Sequence, residues 1–275
     1  MDITARMIAQ LRQRESARPE SERLFNDPHA WAFVTEEARD FTSAMERALP
    51  SLATFVRLRT RYIDDCIKKL WTTETQLVVL GAGADMRPYR LNLPQGTFIE
   101  IDRKNVVASK EHILFTALDL DYRRVARIGA DFETDSLYDR FTASPLIATR
   151  PAIFVMEGVS HYLTPEANRR MATDIVRFMK VPSKVIMYYN SQAFVDDATG
   201  DAEMTRHREA LDAHGYTIHS GIADINSFAR TCGLRVASDV SVADIAAMYA
   251  PHEPLSSSFG THFRVAVMET QKSVE

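Results

Sequence analysis

The chain opens in helical period and changes character after about seventy residues. Residues 1–14 form a charged amphipathic stretch, and residues 30–49 are helical in composition. Between them, Asn26-Asp27-Pro28 marks a turn, because backbone before a proline favours the extended region. Pro50 ends the second segment, and Ser51 is placed to cap a third, residues 52–71. In that third segment Leu52, Phe55, Val56, Ile63, Ile67 and Leu70 recur on one stripe, with Arg59 a polar residue among them.

From there, short β-branched and apolar runs alternate with helical patterns. The runs cover 76–80, 97–101, 113–118, 152–156 and 184–189. They end at Gly81, Asp102, Asp119, Glu157 and Asn190 in turn. Residues 165–180 are helical, with Thr164 as N-cap and Pro165 in the first turn. Such alternation predicts a mostly parallel sheet covered on both faces. The last part differs. Residues 196–214 read as a charged helix ended by Gly215, and 223–232 as a short helix stopped by Gly233. Residues 234–240 and 262–268 alternate like strands around a turn-rich loop at 250–260, which predicts an antiparallel edge.

A chain of 275 residues, 45% of them hydrophobic, can bury a core without staples. Its 33 basic and 37 acidic side chains nearly balance, at a net charge of -4, which argues against nucleic acid as a partner. Two cysteines, Cys66 and Cys232, without CxxC spacing exclude a disulfide scaffold and a Cys-based zinc site, and fit a reducing cytoplasm. No run of 18 apolar residues predicts a membrane span, and the first residues lack the apolar core of a secretory signal.

The candidate chemistry begins at the first strand, which runs into Gly81-Ala82-Gly83. Glycines there allow a sharp turn and close backbone approach to a ligand. Asp102 ends the next strand, 21 residues after Gly81, where an acid suits a grip on ribose hydroxyls. A dinucleotide fingerprint wants a third small residue where this chain has Met86, and Arg87-Pro88 interrupts the helix start that would take a pyrophosphate. A nucleoside ligand without phosphates, such as S-adenosyl-L-methionine, fits better. A nicotinamide-dependent oxidoreductase and a non-catalytic S-adenosyl-L-methionine-binding protein remain as alternatives.

Several segments carry a resemblance: RTRYIDD at 59–65, VVLGAGADMRPYRL at 78–91, FIEID at 98–102, ALDL at 117–120 and EGVSHYL at 157–163, with NDP at 26–28. Together they resemble the leucine carboxyl methyltransferase superfamily, in its bacterial branch of O-methyltransferases similar to polyketide carboxyl methylases. The resemblance implies a single Rossmann-like domain with seven strands in the order 3-2-1-4-5-7-6, parallel except for one reversed edge strand. It implies a helical cap at 1–72, a cofactor-binding core at 76–190, a lid insertion at 191–222 and the rest of the sheet at 223–275. By the same resemblance Gly81, Ala82 and Gly83 would line the methionine part of the cofactor, and Asp102 would hold the ribose. Asp119 and Leu120 would flank the adenine. Arg61, in preference to Arg59, would pair the cofactor carboxylate, and Glu157 would face its amino group or its sulfonium.

The expected reaction is methyl transfer to a carboxylate or hydroxyl oxygen of a small metabolite, in natural-product metabolism. His161 is the candidate base, because it follows the fourth strand on the edge where open sheets bind ligands, and Tyr162 is a wall or donor beside it. Ser160-His161 departs from the apolar pair commoner in the family. Arg90 is expected to tie helix to sheet, and one of Tyr188 and Tyr189 to lie in the core. His207, His214, His219, His252 and His262 show no metal-ligand spacing, so no metal is expected. The expected partner is a small-molecule acceptor, with no nucleic acid and no membrane, and with a homodimer left open.

Overall fold

The computed structural model of the chain describes residues 1–253, 255 and 257–271. Three helices come first: α1 (Ile3–Ser16), α2 (Glu36–Ala48) and α3 (Leu52–Leu70). Thr35 caps α2 by accepting from the Ala38 N–H, and Glu36 and Glu37 suit the positive end of that helix. Ser51 precedes α3 but makes no side-chain cap bond, contrary to its sequence position.

The sheet follows, with β1 (Gln76–Leu80), β2 (Thr97–Asp102), β3 (Ala126–Gly129), β4 (Ala152–Met156), β5 (Lys184–Asn190), β6 (Leu234–Ser241) and β7 (Phe263–Thr270). Between strands lie α4 (Arg87–Arg90), α5 (Lys104–Thr116), α6 (Leu137–Thr142), α7 (Pro165–Phe178), α8 (Gln192–Val195), α9 (Ala202–Ala213), α10 (Ile225–Thr231), α11 (Val242–Tyr249) and α12 (Ser257–His262). Strand order is β3-β2-β1-β4-β5-β7-β6, as the sequence analysis expected. The reversed strand is β7, antiparallel to both neighbours, and it sits one place in from the edge rather than on it. The edge is β6, where a bulge between Val236 and Ser238 disrupts a ladder that would otherwise invite pairing.

One predicted strand is corrected. Residues 113–118 end α5 and do not enter the sheet, and Phe115 there is 68% exposed. Burial in α5 falls on Val106, Lys110 and Leu114, every fourth residue, which is helical and not strand period. The third strand is instead Ala126–Gly129, whose Arg127 stands opposite Glu100 of β2. The Arg127 Nε donates to Glu100 Oε2 at 2.9 Å, and Lys110 reaches the other carboxylate oxygen at 2.8 Å. A charged pair buried across two strands breaks the apolar run by which a central strand is recognised.

The sheet separates two apolar layers. One joins α1, α2 and α3 to the face carrying Leu77, Val79, Ile186, Tyr188 and Val265. The other packs α6 and α7 against the opposite face, through Phe141, Phe154, Ile175 and Met187. The cap helices are therefore continuous with the core. Their placement brings α1 and α3 to the carboxyl ends of β1 and β4, where open α/β sheets bind ligands. No described helix is long and apolar enough to cross a membrane.

Candidate active site

A cavity of about 610 Å³ opens at the carboxyl ends of β1, β2, β4 and β5, within the size range of small-molecule sites. Its floor is the turn after β1. Gly81 sits at φ 68°, and a Cβ there would meet Val159 Cγ2 at 2.1 Å. Gly83 sits at φ 39°, with Ala5 of α1 directly above it. Both positions demand glycine, the first by strain and contact together.

Asp102 closes this turn. One of its carboxylate oxygens accepts from the Gly83 N–H at 2.8 Å and the other from the Arg103 N–H at 2.7 Å. Burial raises its carboxyl above the ordinary aspartate range, against those hydrogen bonds. Each oxygen keeps a further lone pair for a ligand hydroxyl. Next along the edge come Asp131 and Phe132, just beyond β3.

Beneath the glycine turn lies a buried chain of alternating charges. The Arg59 Nε donates to Glu157 at 2.8 Å, and the other Glu157 oxygen lies 2.6 Å from Arg87. Arg87 also holds Asp85 at 2.5 Å and Asp64 at 2.7 Å. Arg90 reaches Asp64 at 2.6 Å, and Arg12 reaches Asp27 at 3.0 Å while donating to the Ala84 carbonyl. Burial alone would raise the Glu157 carboxyl, but Arg87 and Arg59 outweigh it and hold it at about 2. Buried charges persist only when paired in this way. Asp85 also accepts from the Arg87 N–H at 2.8 Å, so an acid already occupies the start of the four-residue α4. A pyrophosphate has no helix N-terminus to bind there.

The far end of the cavity is aromatic. Phe55, Tyr188 and Phe263 line it, and the Arg59 guanidinium lies 4.6 Å from the ring centres of Phe55 and Tyr188. His161 and Tyr162 stand at the turn after β4, with ring centres 4.1 Å apart. His207 of α9, Leu211, Tyr216 and Ile218 close this end, all from the segment after β5. Burial pushes His161 down to about 3, helped by the Arg59 charge and by His207, and burial holds His207 at about 4. Both imidazoles are therefore neutral at physiological pH. Burial pushes the hydroxyls of Tyr162 and Tyr188 well above the ordinary tyrosine range.

A family model, leucine carboxyl methyltransferase, matches residues 5–176. The chain belongs to the leucine carboxyl methyltransferase family. A Parafrankia protein named "Putative S-adenosyl-L-methionine-dependent methyltransferase" is 30% identical over 211 residues, which cover 73% of this chain and 64% of that protein. A Mycolicibacterium gilvum protein of the same name is 30% identical over 231 residues, covering 78% of this chain and 73% of the other. The chain thus spans just under two thirds of the Parafrankia relative. The fold is similar to that of a solved DUF574 family protein from Streptomyces avermitilis, with TM-score 0.66, 15% identity and coverage of 98% and 97%.

Within the family motif, the structure gathers Arg59, Gly81, Ala82, Gly83, Asp102, Glu157, His161 and Tyr162 around one cavity. Three expected residues are not there. Arg61, about 200° around α3 from Arg59, donates to Asp65 and to the Leu24 carbonyl, and stacks on Tyr249 outside the cavity. Asp119 is exposed with φ 48°, and Leu120 packs against the α5 side of the fold; neither lines the cavity. The resemblance gave them the adenine, but they lie in the connection after α5 and not at a strand end. The acid and apolar pair at the true end of β3 is Asp131-Phe132.

His207, expected only not to bind metal, also lines the cavity, which helical period alone could not indicate. Arg90 ties α4 to Asp64 of α3 rather than to the sheet. Of the tyrosine pair, Tyr188 faces the cavity, and Tyr189 packs in the opposite layer with its hydroxyl donating to Asp239.

Proposed function

We propose that this protein transfers a methyl group from S-adenosyl-L-methionine to an oxygen of a small metabolite. The observation that carries this is the glycine turn, too tight at Gly81 for any side chain, with Asp102 across its mouth. S-adenosyl-L-methionine supplies a methyl group already activated on a sulfonium, so the protein's part is to bind, orient and exclude water. Asp102 accepts from the ribose hydroxyls. Asp131 accepts from the adenine amino group, with Phe132 against the base. Arg59 pairs the carboxylate, a fork-shaped donor suited to that group, and Glu157 faces the amino group. The α1 helix covers the cofactor, and the segment at 191–222 covers the acceptor. A displacement at carbon needs the acceptor oxygen opposite the sulfur at near-attack distance, which points it toward the aromatic end.

Thermal melting in the presence of S-adenosyl-L-homocysteine or NADH tests this reading. Stabilisation by S-adenosyl-L-homocysteine and not by NADH is expected, because a ligand stabilises only the state that binds it. Stabilisation by NADH alone would overturn the proposal.

A further inference from the structure

His207 is a buried polar group that the fold itself does not satisfy. It projects from α9 into the aromatic end of the cavity and is more than nine-tenths buried. Its ring lies beside Phe194 and Phe263, with centres 6.1 and 6.3 Å away. Its Nδ1 is sealed off without a hydrogen-bond partner among the described residues. Its Nε2 is not sealed, and makes no hydrogen bond among them either. A buried donor or acceptor left unmade is costly, and each instance in a folded protein calls for a partner. Polar groups nearby are already committed: the Tyr188 hydroxyl donates to Asn190, and Arg59 holds Glu157.

Resting on the methyl-donor reading above, we propose that His207 recognises the body of the acceptor: a neutral hydroxyl or carbonyl oxygen, carried on an apolar ring away from the methylated group, hydrogen-bonds to its Nε2. This holds whether the methylated oxygen belongs to a carboxylate or to a hydroxyl. Charge falls off along the cavity. The Arg59 charge acts on His161, whereas His207 is held neutral by burial. A charged group brought to His207 would shed its water and meet no opposite charge among the described residues, which is expensive. A neutral oxygen loses far less and satisfies the imidazole. Leu211, one turn further along the same face of α9, and Ile218 supply apolar wall for the ring that carries it.

Calorimetry on the protein loaded with S-adenosyl-L-homocysteine tests this with probes that share a reacting end and differ at the tail. They are 3-phenylpropanoic acid and its 4-hydroxyphenyl and 4-carboxyphenyl counterparts, with the matching 5-phenylpentanoic acids for a longer reach. The corresponding alcohols repeat both series with a hydroxyl at the reacting end. In at least one series the hydroxyphenyl probe should bind about tenfold tighter than the phenyl probe, and the carboxyphenyl probe weakest. His207→Phe should abolish the hydroxyl's gain and leave the phenyl probe bound as before, while His207→Gln should keep part of the gain. Affinity for S-adenosyl-L-homocysteine should stay near wild type in both variants, separating a lost contact from a lost fold. A gain that persists in His207→Phe overturns the proposal. So do carboxyphenyl probes bound as tightly as hydroxyphenyl ones, or a protein that binds S-adenosyl-L-homocysteine yet binds no hydroxyphenyl probe. Failure of the wild type to bind S-adenosyl-L-homocysteine instead overturns the donor reading.

Discussion

At the residue scale, two arginines two positions apart have opposite fates. Arg59 and Arg61 both belong to RTRYIDD, and nothing in the motif distinguishes them. A helix turns about 200° over two residues, so only one of the pair can face the sheet edge. Arg59 faces it, and Arg61 does not. Arg59→Lys should weaken S-adenosyl-L-homocysteine binding about tenfold or more by calorimetry, because an ammonium cannot reproduce a two-point grip. Glu157 would keep Arg87 as partner, so the fold should survive. An analogue lacking the carboxylate should bind the variant and the wild type alike. Arg61→Ala should leave affinity unchanged; a large loss there would return the carboxylate to Arg61.

At the element scale, the legible and illegible strands differ in one property. β1, β4 and β5 are apolar runs buried on both faces; β1 and β4 were readable at their full length and β5 to within one residue. β3 has four residues, and its charged Arg127 is satisfied by Glu100 from a strand 27 positions away. A local window sees only the charge, while the apolar end of α5 nearby imitates a strand. The cofactor turn and Asp102 were legible because glycine and acid follow their strands at once. The Asp131-Phe132 pair proposed for the adenine was not, because its position depends on where β3 ends. The consequence is testable. Phe132→Ala and Asp131→Ala should each reduce S-adenosyl-L-homocysteine affinity about tenfold, whereas Asp119→Ala should not. Equal loss at Asp119 would reinstate the earlier position.

At the scale of the whole molecule, the cap, sheet and late helices close one chamber, and its buried histidines make stability depend on pH. His161 and His207 have folded-state values of about 3 and 4, below the ordinary 6.5. Between those limits the unfolded chain binds more protons than the folded one, so stability falls as pH drops from about 6.5 toward 4. The slope is about 1.4 kcal/mol per pH unit for each histidine. Urea midpoints at pH 7.5, 6.5 and 5.5 should be nearly flat in the upper interval and fall in the lower one. His207→Gln should halve the fall. A flat profile throughout would mean that neither histidine is held neutral.

The most direct measurement is a crystal structure with S-adenosyl-L-homocysteine bound. The expected result has both ribose hydroxyls on Asp102, the adenine beside Asp131 and Phe132, and the carboxylate on Arg59, with the sulfur turned toward His161. Nucleoside density away from the Gly81–Gly83 turn, or Asp102 left without a ribose contact, would contradict the account.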